Sequence, residues 1–142
     1  MPTTLDKHQE IIGRMMKGLV DSGLEKIGFG DHMALEFLGL NTDQDAPKNS
    51  EIADVVSWMI SEGLIRSDAG PDQSYWRMGG GFLFPGLQLT SKGLAALDVI
   101  RSQEEKLSHQ IDKPKGELSP ATYTKLGSLI GGILGGFTKS IG

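Results

Sequence analysis

The sequence contains no cysteine, which excludes disulfide bonds and metal sites held by thiolates. It has no apolar run of the roughly 20 residues that a bilayer-spanning helix needs. The first residues, Met1 to Asp6, include neither a basic segment nor an apolar segment, so we expect no secretory signal and a cytoplasmic location. With 142 residues, the chain has room for one small domain and at most a tail.

Sequence motifs for common enzyme chemistry are also missing. There is no Gly-x-Ser-x-Gly motif, no Walker motif and no dinucleotide-binding fingerprint. The three histidines, His8, His32 and His109, lie far apart in the sequence, so a metal site would need them to converge in space. We therefore expect a protein that is not an enzyme and that uses no cofactor and no metal.

Positive charge is scarce in most of the chain. Residues 1–112 hold 10 Lys and Arg against 17 Asp and Glu, whereas residues 113–142 hold four Lys and one Glu. An acidic body repels phosphate backbones unless its basic residues are gathered on one face. This charge distribution counts against simple binding to nucleic acid.

The most informative stretch runs from Asn49 to Ser102 and has the order helix, strand, Gly-rich segment, strand, helix. Its first helix is indicated by apolar residues at the spacing i, i+3, i+4, i+7 and i+8, namely Ile52, Val55, Val56, Met59 and Ile60. Extended segments are predicted at Gly63–Arg66 and Leu87–Leu89. Pro85-Gly86 is interpreted as a break, and Thr90 is predicted to begin the next helix.

Before this stretch, the pattern predicts a helix from Asp6 to about Ser22. Its buried stripe consists of Ile12, Met15, Met16, Leu19 and Val20, whereas Arg14 and Lys17 are expected to face water. The segment Ile27–Gly30 is interpreted as a turn-rich link, and Asp31 as the N-cap of a short helix.

After it, the helix that begins at Thr90 should bury Leu94, Leu97 and Ile100 and fray near His109. Residues 113–118 are predicted to be a linker that separates a domain at residues 1–112 from a Gly-rich amphipathic segment at residues 119–142. Ser119-Pro120 should start that last helix. Because glycines interrupt it, it should need a surface to pack on.

Two motifs resemble an uncharacterised bacterial and phage-associated winged-helix family, some of whose members end in a Gly-rich apolar tail. The first motif is Gly63-Leu64-Ile65, and the second is Leu89-Thr90-x-x-Gly93-x-x-x-Leu97-Asp98-x-x-Arg101. The resemblance implies a mainly α (α+β) winged helix-turn-helix fold with a small antiparallel β wing. The chain would then end in a C-terminal amphipathic helix or tail.

The same resemblance implies a non-enzymatic binding module. One interpretation is a DNA-associated transcriptional regulator, in which the helix at residues 49–62 reads the major groove and residues 68–86 form the wing. The chain departs from this pattern because that helix carries no Lys or Arg. The alternative is an acidic protein-interaction module that does not bind DNA, such as an immunity or antitoxin-like inhibitor or an oligomerising adaptor. The candidate contacts with DNA or a partner are Lys48, Asn49, Ser50, Ser57, Trp58, Arg66, Arg77 and Lys92.

Aromatic residues and the tail supply further candidates. Trp58 lies off the apolar stripe, so it either packs against the tail, the wing or the first helix, or anchors an interface. Tyr75, Trp76, Phe82 and Phe84 either pin the wing to the core or contact a partner. The tail, with its Gly-x-x-x-Gly spacings, could dock on the body, form a homo-oligomer, stay mobile, or bind a membrane surface or a foreign partner. Its candidate contact residues are Leu126, Ile130, Ile133, Leu134 and Phe137.

Overall fold

The computed structural model describes residues 3–40, 46–69, 81–113 and 118–141, with the side chains of the last segment described as far as Ile133. The elements in chain order are α1 Thr4–Ser22, β1 Ile27–Gly30, α2 Ala34–Phe37, α3 Asn49–Ser61, β2 Ile65–Arg66, β3 Leu83–Leu89, α4 Ser91–Gln103, α5 Glu105–Asp112 and α6 Pro120–Ile141. The prediction of a mainly helical α+β chain with a small antiparallel sheet is confirmed.

The sheet has three strands in the order β1-β3-β2, and both pairings are antiparallel. Ile65 lies opposite Leu89, as expected from the two extended segments that flank the Gly-rich stretch. The interpretation of Ile27–Gly30 as a turn-rich link is wrong, because these residues form β1 and pair with β3. Its two glycines are typical of turns and therefore led away from a strand, although Phe29 within it is fully buried.

The interpretation of Pro85-Gly86 as a break is also wrong, since β3 runs through both residues. The register slips between Phe29↔Phe84 and Ile27↔Leu87, which places a β-bulge at this point. Gly86 has φ 61°, which suits glycine at a bulge. The carbonyl oxygen of Pro85 accepts hydrogen bonds from the Ser67 hydroxyl at 2.7 Å and the Asp68 amide at 2.8 Å. A central strand can therefore accommodate proline.

The core confirms the predicted face of α3. Ile52, Val55, Val56 and Met59 are buried, and Ile60 is half-buried against the same cluster. Phe82 and Phe84 also lie in the core, where their rings pack against Phe29 at centroid distances of 5.7 and 6.5 Å and against each other at 5.7 Å. The ring of Phe37 packs on Phe29 from another side, at 5.5 Å. Phe82 and Phe84 therefore attach strand β3 and the residues before it to the hydrophobic core. Tyr75 and Trp76 lie outside the described residues.

The Gly-Leu-Ile and Leu-Thr-x-x-Gly motifs meet where α3 ends and α4 begins. Gly63 has φ 78°, and the Thr90 side chain caps α4 by accepting from the Gly93 amide at 3.0 Å. The Thr90 hydroxyl also contacts the carbonyl oxygens of Gly63 and Leu64. A Cβ on Gly93 would collide with the Leu64 carbonyl. The motifs thus fix the junction of two helices.

Three local expectations need correction. Asp31 does not cap α2; its carboxylate accepts from the Phe82 amide at 3.2 Å and so ties β1 to β3. Leu94, expected to point inward, is 38% exposed, while Ala96 is fully buried. The helix that begins after Thr90 stops at Gln103, and α5 follows after one non-helical residue, Glu104.

None of the helices in the described part of the chain is long and apolar enough to cross a membrane.

Candidate functional site

The site is built on the packing of α6 along α1, which is the most extensive contact between helices. A Cβ on Gly13 would collide with the carbonyl oxygen of Tyr123, and one on Gly127 with the carbonyl oxygen of Gln9. Because the two contacts run in opposite chain directions, the helices are antiparallel and their backbones touch at both glycines. This close approach supplies the surface that a Gly-rich helix needs.

A buried arginine holds the two helices together from the side. Arg14 is only 6% exposed, and its guanidinium lies 4.3 Å from the centroid of the Tyr123 ring. It donates to the carbonyl oxygen of Leu38 at 2.9 Å and pairs with Glu10 at 2.9 Å. The expectation that Arg14 faces water is therefore wrong, because α6 and the end of α2 cover it.

Lys17 is likewise buried rather than solvent-facing, with 3% exposure. Its ammonium group donates to Asp21 at 2.6 Å and to the carbonyl oxygen of Lys113 at 2.8 Å. The second bond attaches the end of the α5 region to α1. Both cations of this face of α1 therefore serve internal contacts.

Where α6 crosses α1 next to α3, the three helices leave a cleft of about 340 Å³. A volume of this size falls in the range of ligand and side-chain pockets. Trp58 and Leu5, which are 37% and 63% exposed, are its most accessible apolar residues. The lining residues are Leu5, His8, Gln9, Ile12, Asp54, Val55, Trp58, Gly127 and Gly131.

Two carboxylates and one histidine stand at this cleft. Asp54 lines it, and Glu51 stands one turn earlier on α3, with a carboxylate oxygen 4.0 Å from the His8 Nε2 atom. No Lys or Arg belongs to the described lining. The ammonium group of Lys125, which lies in α6 two residues before Gly127, pairs with Glu104 at 3.5 Å. An apolar cleft with an acidic rim favours a cationic, amphipathic ligand.

The predicted DNA contacts do not form one patch. Lys48, Asn49 and Ser50 are exposed at the first turn of α3, whereas Arg66 and Lys92 lie beyond its other end, about 20 Å away by helix length. The guanidinium of Arg66 donates to Gln88 at 2.8 Å. The ammonium group of Lys92 donates to the Glu62 carbonyl at 2.8 Å and so caps α3.

The three remaining candidates for contact with DNA or a partner are Ser57, Arg77 and Trp58. The Ser57 hydroxyl oxygen is buried and has no hydrogen-bond partner among the described residues. It is therefore not accessible to DNA or to a partner, contrary to the prediction. Arg77 lies outside the described residues. Trp58 faces α1 and α6 across the cleft rather than pointing straight out of α3.

The tail candidates also have different surroundings. Leu126 and Ile130 are fully buried in the core of the same chain, so they cannot contact a second copy in this packing. Ile133 is half-buried against the core. The side chains of Leu134 and Phe137 lie outside the described set, although α6 itself continues to Ile141.

Comparison of the chain with protein-family models, with curated proteins and with solved structures found no match. The resemblance to a winged-helix family therefore stays a prediction. Within the described residues, no three His, Cys, Asp or Glu side chains are grouped so as to hold a metal ion.

Sequence reasoning singled out Trp58 and the Gly-x-x-x-Gly spacings of the tail, but it missed the α1 residues that line the cleft with them. Leu5, His8 and Gln9 lie in α1, and Gly127 and Gly131 lie in α6. The signal that could have located the cleft was the pair Gly13 and Gly127, since a glycine inside a helix often marks a close backbone contact.

Proposed function

We propose that this protein is a non-enzymatic winged-helix module that works by binding another protein in the cleft between α1, α3 and α6. The observation that carries the proposal is the cleft itself. It exposes Trp58 and Leu5 beside Asp54, and its described lining includes no Lys or Arg. A partly exposed tryptophan in a concave apolar site is the residue most enriched at binding hot spots.

The winged-helix architecture is supported by the order of the elements. Three helices and three strands follow one another in the order α1-β1-α2-α3-β2-β3, and the sheet order is β1-β3-β2. In such a domain α3 would be the reading helix and the β2–β3 connection the wing. Because fold does not determine function, the target depends on the shape and the charge of the binding surface.

The chemistry of the cleft suits an amphipathic helix that carries lysine or arginine beside its apolar face. Helices dock in grooves through apolar residues at the spacing i, i+3, i+4 and i+7. Trp58 and Leu5 would contact such residues, while Asp54 and Glu51 would attract the cations. The same acidic rim disfavours the phosphates of nucleic acid.

We expect a designed peptide of Leu and Lys at helical spacing to bind the protein and to change the fluorescence of Trp58. The measurement uses a Trp76→Phe variant, in which Trp58 is the one remaining tryptophan. A peptide of the same pattern with Glu in place of Lys should not bind. Affinity for the Leu/Lys peptide should also fall with added salt, because the rim contributes by charge.

The matched variants for this experiment are Leu5→Asp in the cleft and Leu94→Asp outside it. Leu5 is 63% exposed and Leu94 38% exposed, so neither change disrupts the core. We expect Leu5→Asp to weaken peptide binding at least about tenfold, which is 1.4 kcal/mol, and Leu94→Asp to leave it unchanged. Equal loss in both variants would contradict a specific cleft.

DNA binding is the second candidate, and the element order favours it. A DNA-binding form would produce a gel shift on random duplex that weakens steeply with salt. Lys48→Glu is the informative variant, since Lys48 is exposed at the start of α3, whereas Lys92 caps a helix. We expect no shift at about 50 mM salt; a shift abolished by Lys48→Glu would favour DNA over the protein partner.

A further inference from the structure

The C-terminal end of α6 extends beyond the helix on which it packs. Tyr123 lies against Gly13 and Gly127 against Gln9, and the same antiparallel spacing brings Gly131 to Leu5. Both of these residues line the cleft. Since α1 begins at Thr4, residues 134–141 run past its first turn, over about 12 Å at 1.5 Å per residue.

This overhang, defined as residues 134–141, has the sequence of an amphipathic cationic helix. Leu134, Phe137 and Ile141 recur at the spacing i, i+3 and i+7, and Lys139 is its one charged residue. A Cβ on Gly131, which lines the cleft just before the overhang, would meet no heavy atom within 4 Å. Another helix could therefore approach the backbone closely at this point.

The overhang cannot reach the cleft of its own chain. The helix α6 is continuous to Ile141, so its last turns lead away from Gly131 rather than folding back over Trp58. The cleft and the overhang nevertheless lie next to each other, at the same end of α1. The overhang, which has the sequence of a cationic amphipathic helix, therefore lies beside a cleft that suits such a helix but that only a segment of another molecule can fill.

We propose that the overhang of one copy binds in the cleft of a second copy, so that two chains form a two-fold dimer by exchanging their C-terminal ends. The inference rests on the proposed role of the cleft as the binding site for a cationic amphipathic helix, and it identifies that helix as the chain's own C-terminus. A two-fold arrangement makes both contacts at once and closes the assembly.

The charges of the two halves fit this exchange. Residues 113–142 hold four Lys and one Glu, while residues 1–112 are acidic. Lys139 would lie near Asp54 and Glu51 of the second copy, whose carboxylates stand at the cleft rim. Contact with Phe137 and Leu134 of the second copy would cover the exposed apolar surface of Trp58 and Leu5.

Analytical ultracentrifugation of the full chain tests the exchange. We expect a dimer whose dissociation constant rises at least about tenfold in Phe137→Asp, in Leu5→Asp and in a chain ended after Ile133. Leu94→Asp should leave it unchanged. The truncated chain keeps the buried contacts of Leu126 and Ile130, so its secondary structure, measured by circular dichroism, should be retained.

Mixing two defective variants separates an exchange from other dimers. Phe137→Asp has an intact cleft and Leu5→Asp has an intact overhang, so one complete contact forms when they meet. We expect the mixture to dimerise more tightly than either variant alone. A monomeric full chain, a dimer indifferent to both substitutions, or a mixture no tighter than its components would each overturn the proposal.

The outcome also separates this inference from the proposed function. Because an overhang seated in the cleft would compete with the Leu/Lys peptide, the peptide is titrated into the chain ended after Ile133. If the peptide binds there but the full chain is monomeric, the cleft remains a protein-binding site and the exchange is rejected. If the peptide does not bind and the chain is a dimer that ignores Leu5→Asp, both are rejected.

Discussion

Replacing Gly127 by alanine should destabilise the protein by about 3 kcal/mol, the upper part of the range for overpacked sites. The added methyl group would collide with the carbonyl oxygen of Gln9, and a backbone atom within a helix cannot move aside as a flexible side chain can. The helices α1 and α6 would have to separate. This would disturb the contact between Gly13 and Tyr123 and widen the cleft. Urea unfolding at constant m-value measures the loss.

Gly132→Ala is the matched control for this prediction. It lies in the same helix, and a Cβ there would have nothing within 4 Å. Since glycine costs roughly 1 kcal/mol relative to alanine inside a helix, this variant should be as stable as the parent or slightly more stable. If the two alanine variants unfolded at the same urea concentration, the close packing of α6 on α1 would be refuted.

Replacing Arg14 by methionine should also cost about 3 kcal/mol. Methionine keeps most of the aliphatic stem but removes the guanidinium, which donates to the buried carbonyl of Leu38 and lies over the Tyr123 ring. The lost charge-assisted hydrogen bond contributes about 1.5–3 kcal/mol and the cation–π contact about 0.5–2 kcal/mol. The midpoint of urea unfolding should fall accordingly.

Lys7→Met provides the comparison for Arg14→Met. It removes the same charge from the same helix, but Lys7 is exposed, so its replacement should change the stability by no more than about 0.5 kcal/mol. Similar losses in both variants would mean that the charge of α1 matters, and not the internal contacts of Arg14.

The sequence was sufficient where a local pattern determined the structure. The apolar spacing of Ile52 to Met59 predicted the buried face of α3. Thr90 and Ser119 were correctly predicted at helix starts, where their hydroxyl groups accept hydrogen bonds from the backbone amides of Gly93 and Thr122. These features depend on hydrophobic periodicity and on capping, both of which act over a few residues.

Features that depend on distant neighbours could not be predicted. Ile27–Gly30 becomes a strand because β3 pairs with it from more than fifty residues away, and Pro85-Gly86 stays within β3 because Ser67 and Asp68 satisfy the bulge. Tertiary pairing here overrides the preference of glycine and proline for turns.

The candidate site was only partly visible for the same reason. The helical spacing of α1 places Arg14 off the apolar stripe, but it does not reveal that α6 covers this side chain. The long aliphatic stem of arginine is compatible with burial as well as with exposure. Trp58 could be recognised as lying off the apolar stripe. Its cleft, however, is assembled from α1, α3 and α6, whose lining residues are far apart in sequence.

The most direct test of the central claim is a map of amide chemical shifts in the ¹⁵N-labelled protein during titration with the Leu/Lys peptide. We predict that the largest changes occur at Leu5, His8, Val55, Trp58 and Gly131, which line the cleft. Changes concentrated instead at Arg66 and Lys92, with these lining residues unaffected, would contradict a binding site between α1, α3 and α6.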